Sequence, residues 1–343
     1  MFNFLRPLLI SIASLSLVLT ACGGEEASTA GDTAMVVVST NILGDVVEQL
    51  VGDQLVVETI MPPGADPHAF QASAKDVDRM TKADVLITNG AGFEEGLLDV
   101  FNSAQSDGVP LFEAMSFVRV LEFAADDHDD HDDHAGHDHS GADPHFFSDP
   151  VQMISVVEAL VDFLIANVGD LDADLLRANA GSYVGQLEEL DAEIDDLFEE
   201  IPPSKRVLLT NHQVFNYFAE QYGFRVVGTL IPSSSTLDSA NAKDLAGLVQ
   251  VIKSEGVTAI FADVSAPDVL AETLAAEVGD IQIVDLYSES LGTADSDAAS
   301  YLGMVRTNSR LIAGALAHHD DHDDHDDHDD HDDHDDHDDH DDH

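Results

Sequence analysis

The feature that most restricts the fold is one long amphipathic stripe. Between Asp172 and Glu200, apolar residues fall at Leu176, Tyr183, Leu187, Leu190, Ile194 and Leu197, and the series continues to Ile201. Steps of three, four or seven keep these side chains on one helical face. A helix of about 28 residues is about 42 Å long at 1.5 Å per residue. That is the scale of a whole domain and suits a strut between two lobes. Pro202 and Pro203 end it, because proline removes a backbone donor and clashes with the preceding turn.

Short apolar runs alternate with helical patterns on both sides of this strut. Before it, strands are expected at Met35–Val38, Leu55–Met61, Asp84–Thr88 and Val109–Phe112, and helices at Asn41–Val51, Lys75–Ala83 and Val151–Val168. After it, strands are expected at Arg206–Thr210, Arg225–Leu230, Thr258–Ala262 and Gln282–Asp285. The accompanying helices are Val214–Tyr222, Asn241–Glu255, Pro267–Gly279 and Ala298–Ala317. Alternation of this kind argues for an α/β fold with parallel sheets covered on both faces.

The ends are of a different character. Leu8 to Leu19 is an apolar run behind a single arginine, shorter than the roughly 20 residues a membrane span needs. It ends in Leu19-Thr20-Ala21-Cys22, which resembles a bacterial lipobox. Residues 1–21 are therefore expected to be a lipoprotein signal peptide, with Cys22 the lipid-bearing first residue and 22–33 a flexible tether. The expected organisation continues with an N-terminal α/β lobe at 34–170, a linking helix at 171–201 and a C-terminal lobe at 202–317. Residues 126–140, inside the first lobe, are expected to form a disordered His/Asp-rich loop. Residues 318–343 are expected to be a disordered Asp-Asp-His tail.

Composition closes off several functions. Cys22 is the single cysteine, so neither an internal disulfide nor a thiolate metal site is available. The net charge of -55 argues against nucleic acid, whose phosphates require a basic footprint. Part of this charge is local: 16 Asp lie in the tail and 7 in the internal tract.

The 18 histidines are distributed unevenly. His128, His131, His134, His137 and His139 lie in the internal tract, and ten more run from His318 to His343. Outside the tracts stand His68, His145 and His212. His68 and His145 share an Asp-Pro-His triplet, in which proline restricts the backbone and the Asp can accept from nearby backbone or from the ring's second nitrogen. His212 follows a strand directly. All three fit the carboxyl edges of strands, where open α/β folds gather ligands. Any one of them alone is compatible with a capping or core role. Three at such boundaries, with none elsewhere in the ordered sequence, point to a shared site. Three imidazoles and a carboxylate make a tetrahedral zinc site without a thiol.

At these residues the chain resembles the substrate-binding lipoproteins of zinc and manganese ABC importers, over about Met35 to Leu316. GADPHAFQASAKDVDRMTKADVLITNGAGFEEGL is similar to the family's first ligand segment, DPHFFSDP to its second and TNHQVFNYFAEQYGF to its third. The acidic, His-rich stretch before the second segment is typical of zinc members. The resemblance implies two α/β lobes joined by one long rigid helix, with the metal in the cleft between them. His68 and His145 would come from the first lobe and His212 from the second. It also implies a fourth, carboxylate ligand in Tyr287-Ser288-Glu289-Ser290-Leu291. Most relatives carry Asp there, whereas this chain has Glu289, and Asp285 competes for the role. Ala72-Ser73-Ala74 also replaces the usual prolines. A rigid strut implies a lobe motion smaller than free hinge closure.

The expected cargo is Zn2+ rather than Mn2+, because manganese prefers harder oxygen donors and manganese members usually carry Glu where this chain has His212. The expected partners are an ABC permease and its ATPase, with the membrane reached through the lipid anchor. The chain is expected to be a monomer, non-enzymatic, and located in the cell envelope outside the cytoplasm. The Asp-Asp-His tracts are expected to collect zinc weakly. Two other functions fit three histidines: a zinc-dependent hydrolase or hydratase with an open fourth position, and a surface zinc buffer or adhesin in which the tracts dominate.

Overall fold

The computed structural model describes residues 34–123 and 141–317. The expected signal peptide, Cys22, the tether and both His/Asp tracts lie outside the described residues.

The first sheet is built from β1 (Met35–Val38), β2 (Val56–Thr59), β3 (Val85–Thr88) and β4 (Leu111–Glu113). All pairs are parallel, in the order β2-β1-β3-β4. Its central strands read VVV and VLI because both faces are covered. One face packs on helix α1 (Asn41–Val51), and the other on α2 (Ala74–Lys82) and α3 (Leu98–Ser106). Helix α2 begins with a capping box, in which Ser73 and Asp76 satisfy each other's backbone N–H.

The second sheet repeats the plan. Strands β5 (Val207–Thr210), β6 (Arg225–Thr229), β7 (Ala259–Asp263) and β8 (Gln282–Leu286) are parallel in the order β6-β5-β7-β8. Its helices are α6 (Asn216–Tyr222), α7 (Ala242–Glu255), α8 (Val269–Val278) and α9 (Tyr301–Ala317). Each sheet therefore reverses its winding at its first strand, and the carboxyl ends of β1 and β3, and of β5 and β7, form a switch point of the kind where α/β folds bind ligands.

Two helices connect the sheets. Helix α4 (Pro150–Asn167) starts at the N-cap Asp149 with proline in its first turn. Helix α5 (Ala173–Glu199) is the expected strut; it runs 27 residues, and Asp172 caps it through the N–H groups of Asp174 and Leu175. Its buried face is Leu176, Ala180, Tyr183, Leu187, Leu190, Ile194 and Phe198. Phe198 takes the place expected for Leu197, because a step of four from Ile194 keeps closer to the 3.6-residue period.

One apolar core runs through both lobes. It contains Val36, Val46 and Ile87 of the first lobe, Leu187 and Ile194 of α5, and Phe218, Phe261, Leu286 and Ile312 of the second. The strut therefore shares its packing with both sheets, and interiors packed at crystal-like density transmit displacement rather than absorb it.

Candidate metal centre

The two sheets bring their carboxyl ends to one buried place. His68 lies in the loop between β2 and α2, His145 just before α4, His212 just beyond β5 and Glu289 beyond β8. The four residues are 0–2 % exposed. Glu289 Oε1 is 2.9 Å from His68 Nε2, 3.3 Å from His145 Nε2 and 3.0 Å from His212 Nε2. One potential ligand atom from each residue falls within 4.8 Å of all the others. Donors held about 2.0–2.1 Å from a tetrahedral zinc ion are about 3.3 Å apart, so the cluster has the dimensions of such a site.

Asp285 is not part of this cluster. It lies inside β8 and is exposed, with its carboxyl pushed up by desolvation and by Asp268. Of the two carboxylates the sequence leaves open, the fold brings Glu289 to the histidines.

The surroundings orient the rings. Asp143 Oδ1 is 2.7 Å from His145 Nδ1 and also accepts the His145 backbone N–H. Asp143 keeps a proton on Nδ1, which leaves Nε2 as the ring nitrogen turned toward Glu289 and available to a metal once it is deprotonated. His68 Nδ1 is 3.3 Å from Glu95 Oε1. Asp66, the acid of the other triplet, instead accepts the backbone N–H groups of His68 and Ala69 and the Thr236 hydroxyl. The shared Asp-Pro-His triplet thus has two uses: it sets ring and backbone at His145 and backbone alone at His68. Phe93 sets its ring edgewise to His68 and His145, with centroids 5.1 and 5.5 Å away, and keeps that side dry.

The electrostatics suit a cation. Burial works against a charged His68, but Glu289, Glu95 and Asp66 outweigh it and raise its pKa to about 10. Burial likewise opposes charge on His145, yet Asp143 and Glu289 raise it. Burial opposes charge on Glu289 too, and His212 and His68 nevertheless hold it well below the usual carboxylate range. Among the described residues, His68 Nε2, His145 Nε2 and Glu289 Oε2 have no hydrogen-bond partner. Converging, desolvated donor atoms of this kind are costly unless positive charge lies between them.

Sequence reasoning missed several supporting groups. Glu95 follows Phe93 and Glu94 in a stretch where two adjacent acids are the sole signal. Glu94 is fully buried and accepts from Ser39 Oγ and from the N–H groups of Asn89 and Gly90. Asn41 and Asp263 reach the Glu289 segment from opposite lobes. Nothing local in the sequence marks either one, because their partners lie far along the chain.

Two parallel-sheet lobes on a shared helix, with a buried His-rich cluster at their junction, define a two-lobed α/β solute-binding protein. Residues 36–315 match the family model described as zinc-uptake complex component A periplasmic, ZnuA, and the chain belongs to that family. Members are solute-binding proteins rather than enzymes, which removes the hydrolase and hydratase alternatives. The chain is 28% identical over 310 residues to zinc-binding protein TroA of Treponema pallidum, covering 87% of this chain and 93% of that one. The solved structure of periplasmic zinc-binding protein TroA superposes with a TM-score of 0.74 at 27% identity, covering 83% of this chain and 99% of that one. The chain is also 27% identical over 299 residues to manganese-binding lipoprotein MntA of Halalkalibacterium halodurans, covering 87% of this chain and 94% of the relative.

Proposed function

We propose that this protein captures zinc outside the cytoplasm with His68, His145, His212 and Glu289, and delivers it to an ABC permease driven by its ATPase. Metal binding as the substrate-binding component of an ABC transporter is common to its relatives, which are named for manganese, zinc or iron. The choice of zinc rests on the donor set. Three imidazoles and one carboxylate oxygen suit zinc, while manganese prefers oxygen-rich sites. Several relatives are named lipoproteins, and Cys22 in its lipobox-like setting is the anchor in this reading.

The observation that carries the proposal is the approach of three Nε2 atoms to one carboxylate oxygen at 2.9–3.3 Å, all buried. The test is competitive zinc titration, with manganese in parallel, on protein lacking both His/Asp tracts. One tight zinc site is expected to remain, with manganese binding weaker. His68→Ala, His145→Ala and His212→Ala are each expected to weaken zinc by orders of magnitude, and Glu289→Ala by less. Unchanged affinity in any histidine variant removes that residue from the site. Loss of all tight binding with the tracts would favour a surface buffer instead.

A further inference from the structure

The segment Tyr287–Leu291, which carries Glu289, is gripped at both ends by asparagine amides from different lobes. At its start, Asn308 of α9 accepts the Tyr287 N–H and donates to the Tyr287 carbonyl, both at 2.9 Å. At its end, Asn41 in the first turn of α1 does the equivalent. Its Oδ1 accepts the Leu291 N–H at 2.7 Å, and its Nδ2 donates to Ser290 Oγ at 2.9 Å. The same Nδ2 is 3.0 Å from the Pro62 carbonyl. These partners settle which way the amide faces: flipped, it would set NH2 against an N–H and oxygen against a carbonyl.

Ser290 Oγ also accepts the Gly64 N–H at 2.7 Å. Gly64 presents that N–H from a backbone with φ of 78°, a conformation other residues rarely adopt. Gly64 stands four residues before His68. The loop that brings His68 to the site and the turn that brings Glu289 therefore meet at one serine hydroxyl. From within its own lobe, the neighbouring Ser288 hydroxyl donates to Asp263 at the end of β7. Glu289 is thus flanked by two serines, one tied to each lobe.

We infer that Asn41 is a positioning residue for metal capture: it holds Ser290 and Leu291 so that Glu289 reaches the three histidines when the lobes are together. This rests on the reading of Glu289 as a zinc ligand. Asn41 touches none of the four residues of the cluster through a hydrogen bond; it acts through the backbone that follows Glu289. Separating the lobes would break the Asn41 and Gly64 bonds to this turn, and the fourth donor would leave with it. The grip thereby ties the completeness of the site to the closeness of the lobes.

The test is a double-mutant cycle on the full chain, read by zinc affinity against a competing chelator and by the visible spectrum of the Co2+-substituted protein. Four-coordinate Co2+ absorbs far more strongly than the six-coordinate ions expected on the tracts. Asn41→Ala is expected to weaken zinc about 10–100-fold, the usual range for groups that orient ligands, and to reduce the four-coordinate bands. In a Glu289→Ala background the same change is expected to add little, since the residue it positions is gone. Equal weakening in both backgrounds would mean a general structural role and would overturn the inference, as would no effect in either. If Asn41→Ala does not fold, as judged by thermal unfolding without metal, Ser290→Ala runs the same cycle, because it removes the hydroxyl and keeps the Asn41–Leu291 bond. If Glu289→Ala alone changes neither affinity nor spectrum, it is the reading of Glu289 as a ligand that fails.

Discussion

Asp143 accepts twice from His145 with a single oxygen, at 3.0 Å from the backbone N–H and 2.7 Å from ring Nδ1. Its other oxygen takes the Asn216 amide of α6 at 2.9 Å, so one side chain sets the ring and joins the lobes. Asp143→Ala is expected to lower zinc affinity about 10–100-fold, as loss of a ligand-orienting carboxylate generally does. Asp143→Asn keeps an acceptor for Nδ1 and should lose less. Chelator competition on the two variants orders them, and equal losses would argue against the tautomer assigned to His145.

The length of Glu289 matters as much as its charge. Its Oε1 lies within 3.3 Å of three nitrogens at once. Aspartate withdraws the carboxylate by about one carbon–carbon bond, 1.5 Å. The backbone cannot follow, because Asn41 and Asn308 hold both ends of the segment. Glu289→Asp is therefore expected to weaken zinc at least tenfold, although the charge is kept. Affinity equal to the parent would show that the segment shifts to compensate.

Local signals made much of this legible in the sequence. Met35–Val38 and Asn41–Val51 fall where the valine run and the helical pattern after it place them, since both depend on neighbouring residues alone. The strut is legible because six successive apolar steps of three, four or seven residues keep to one helical face. Helix α3 is not, because its sequence LDVFNSAQS offers few apolar anchors and no side-chain cap. The matching strand orders of the two sheets depend on pairing between distant segments, which periodicity does not encode. The histidines stand out by elimination from the tracts. Glu289 does not, because Asp285 lies four residues away and the choice depends on where β8 ends and which way its side chains face. Asn41 is farther still from view, being 249 residues from Ser290.

Zinc binding should release protons near neutral pH. Without metal, His68 keeps its proton up to about 10 and His145 is raised as well, burial being outweighed by the surrounding carboxylates. Zinc requires neutral imidazole, so binding expels these protons and affinity must rise with pH through neutrality. Titration calorimetry in two buffers of different ionisation enthalpy measures the number released; zero at pH 7 would contradict the charge state described. Stability of the metal-free protein runs the other way. The contribution of His68 is fully present below its unfolded value of 6.5 and is lost as pH rises through about 10. The metal-free protein should therefore lose stability across that window more steeply than the zinc-loaded one in thermal scans.

Asp149 carries a pH dependence of the same sign at lower pH, away from the metal. It caps α4 through the Val151 N–H at 2.8 Å and accepts from the Gln152 amide at 3.2 Å. Burial pushes its carboxyl up to about 6, and the hydrogen bonds from Val151 and Gln152 only partly oppose that. A carboxyl whose folded value is raised favours the folded state most when neutral. Its contribution is present below the unfolded value of 3.8 and is lost as pH climbs through about 6. Asparagine caps helices as well as aspartate and does not ionise. Asp149→Asn forfeits the bond from Gln152, about 1 kcal/mol at every pH, but removes the ionisation penalty. Denaturant unfolding of metal-free protein at pH 4 and pH 7 is the check. The variant should lie below the parent at pH 4 and recover relative to it by pH 7, by about 1–3 kcal/mol. Parallel pH profiles would mean that Asp149 is ionised in the folded protein without strain.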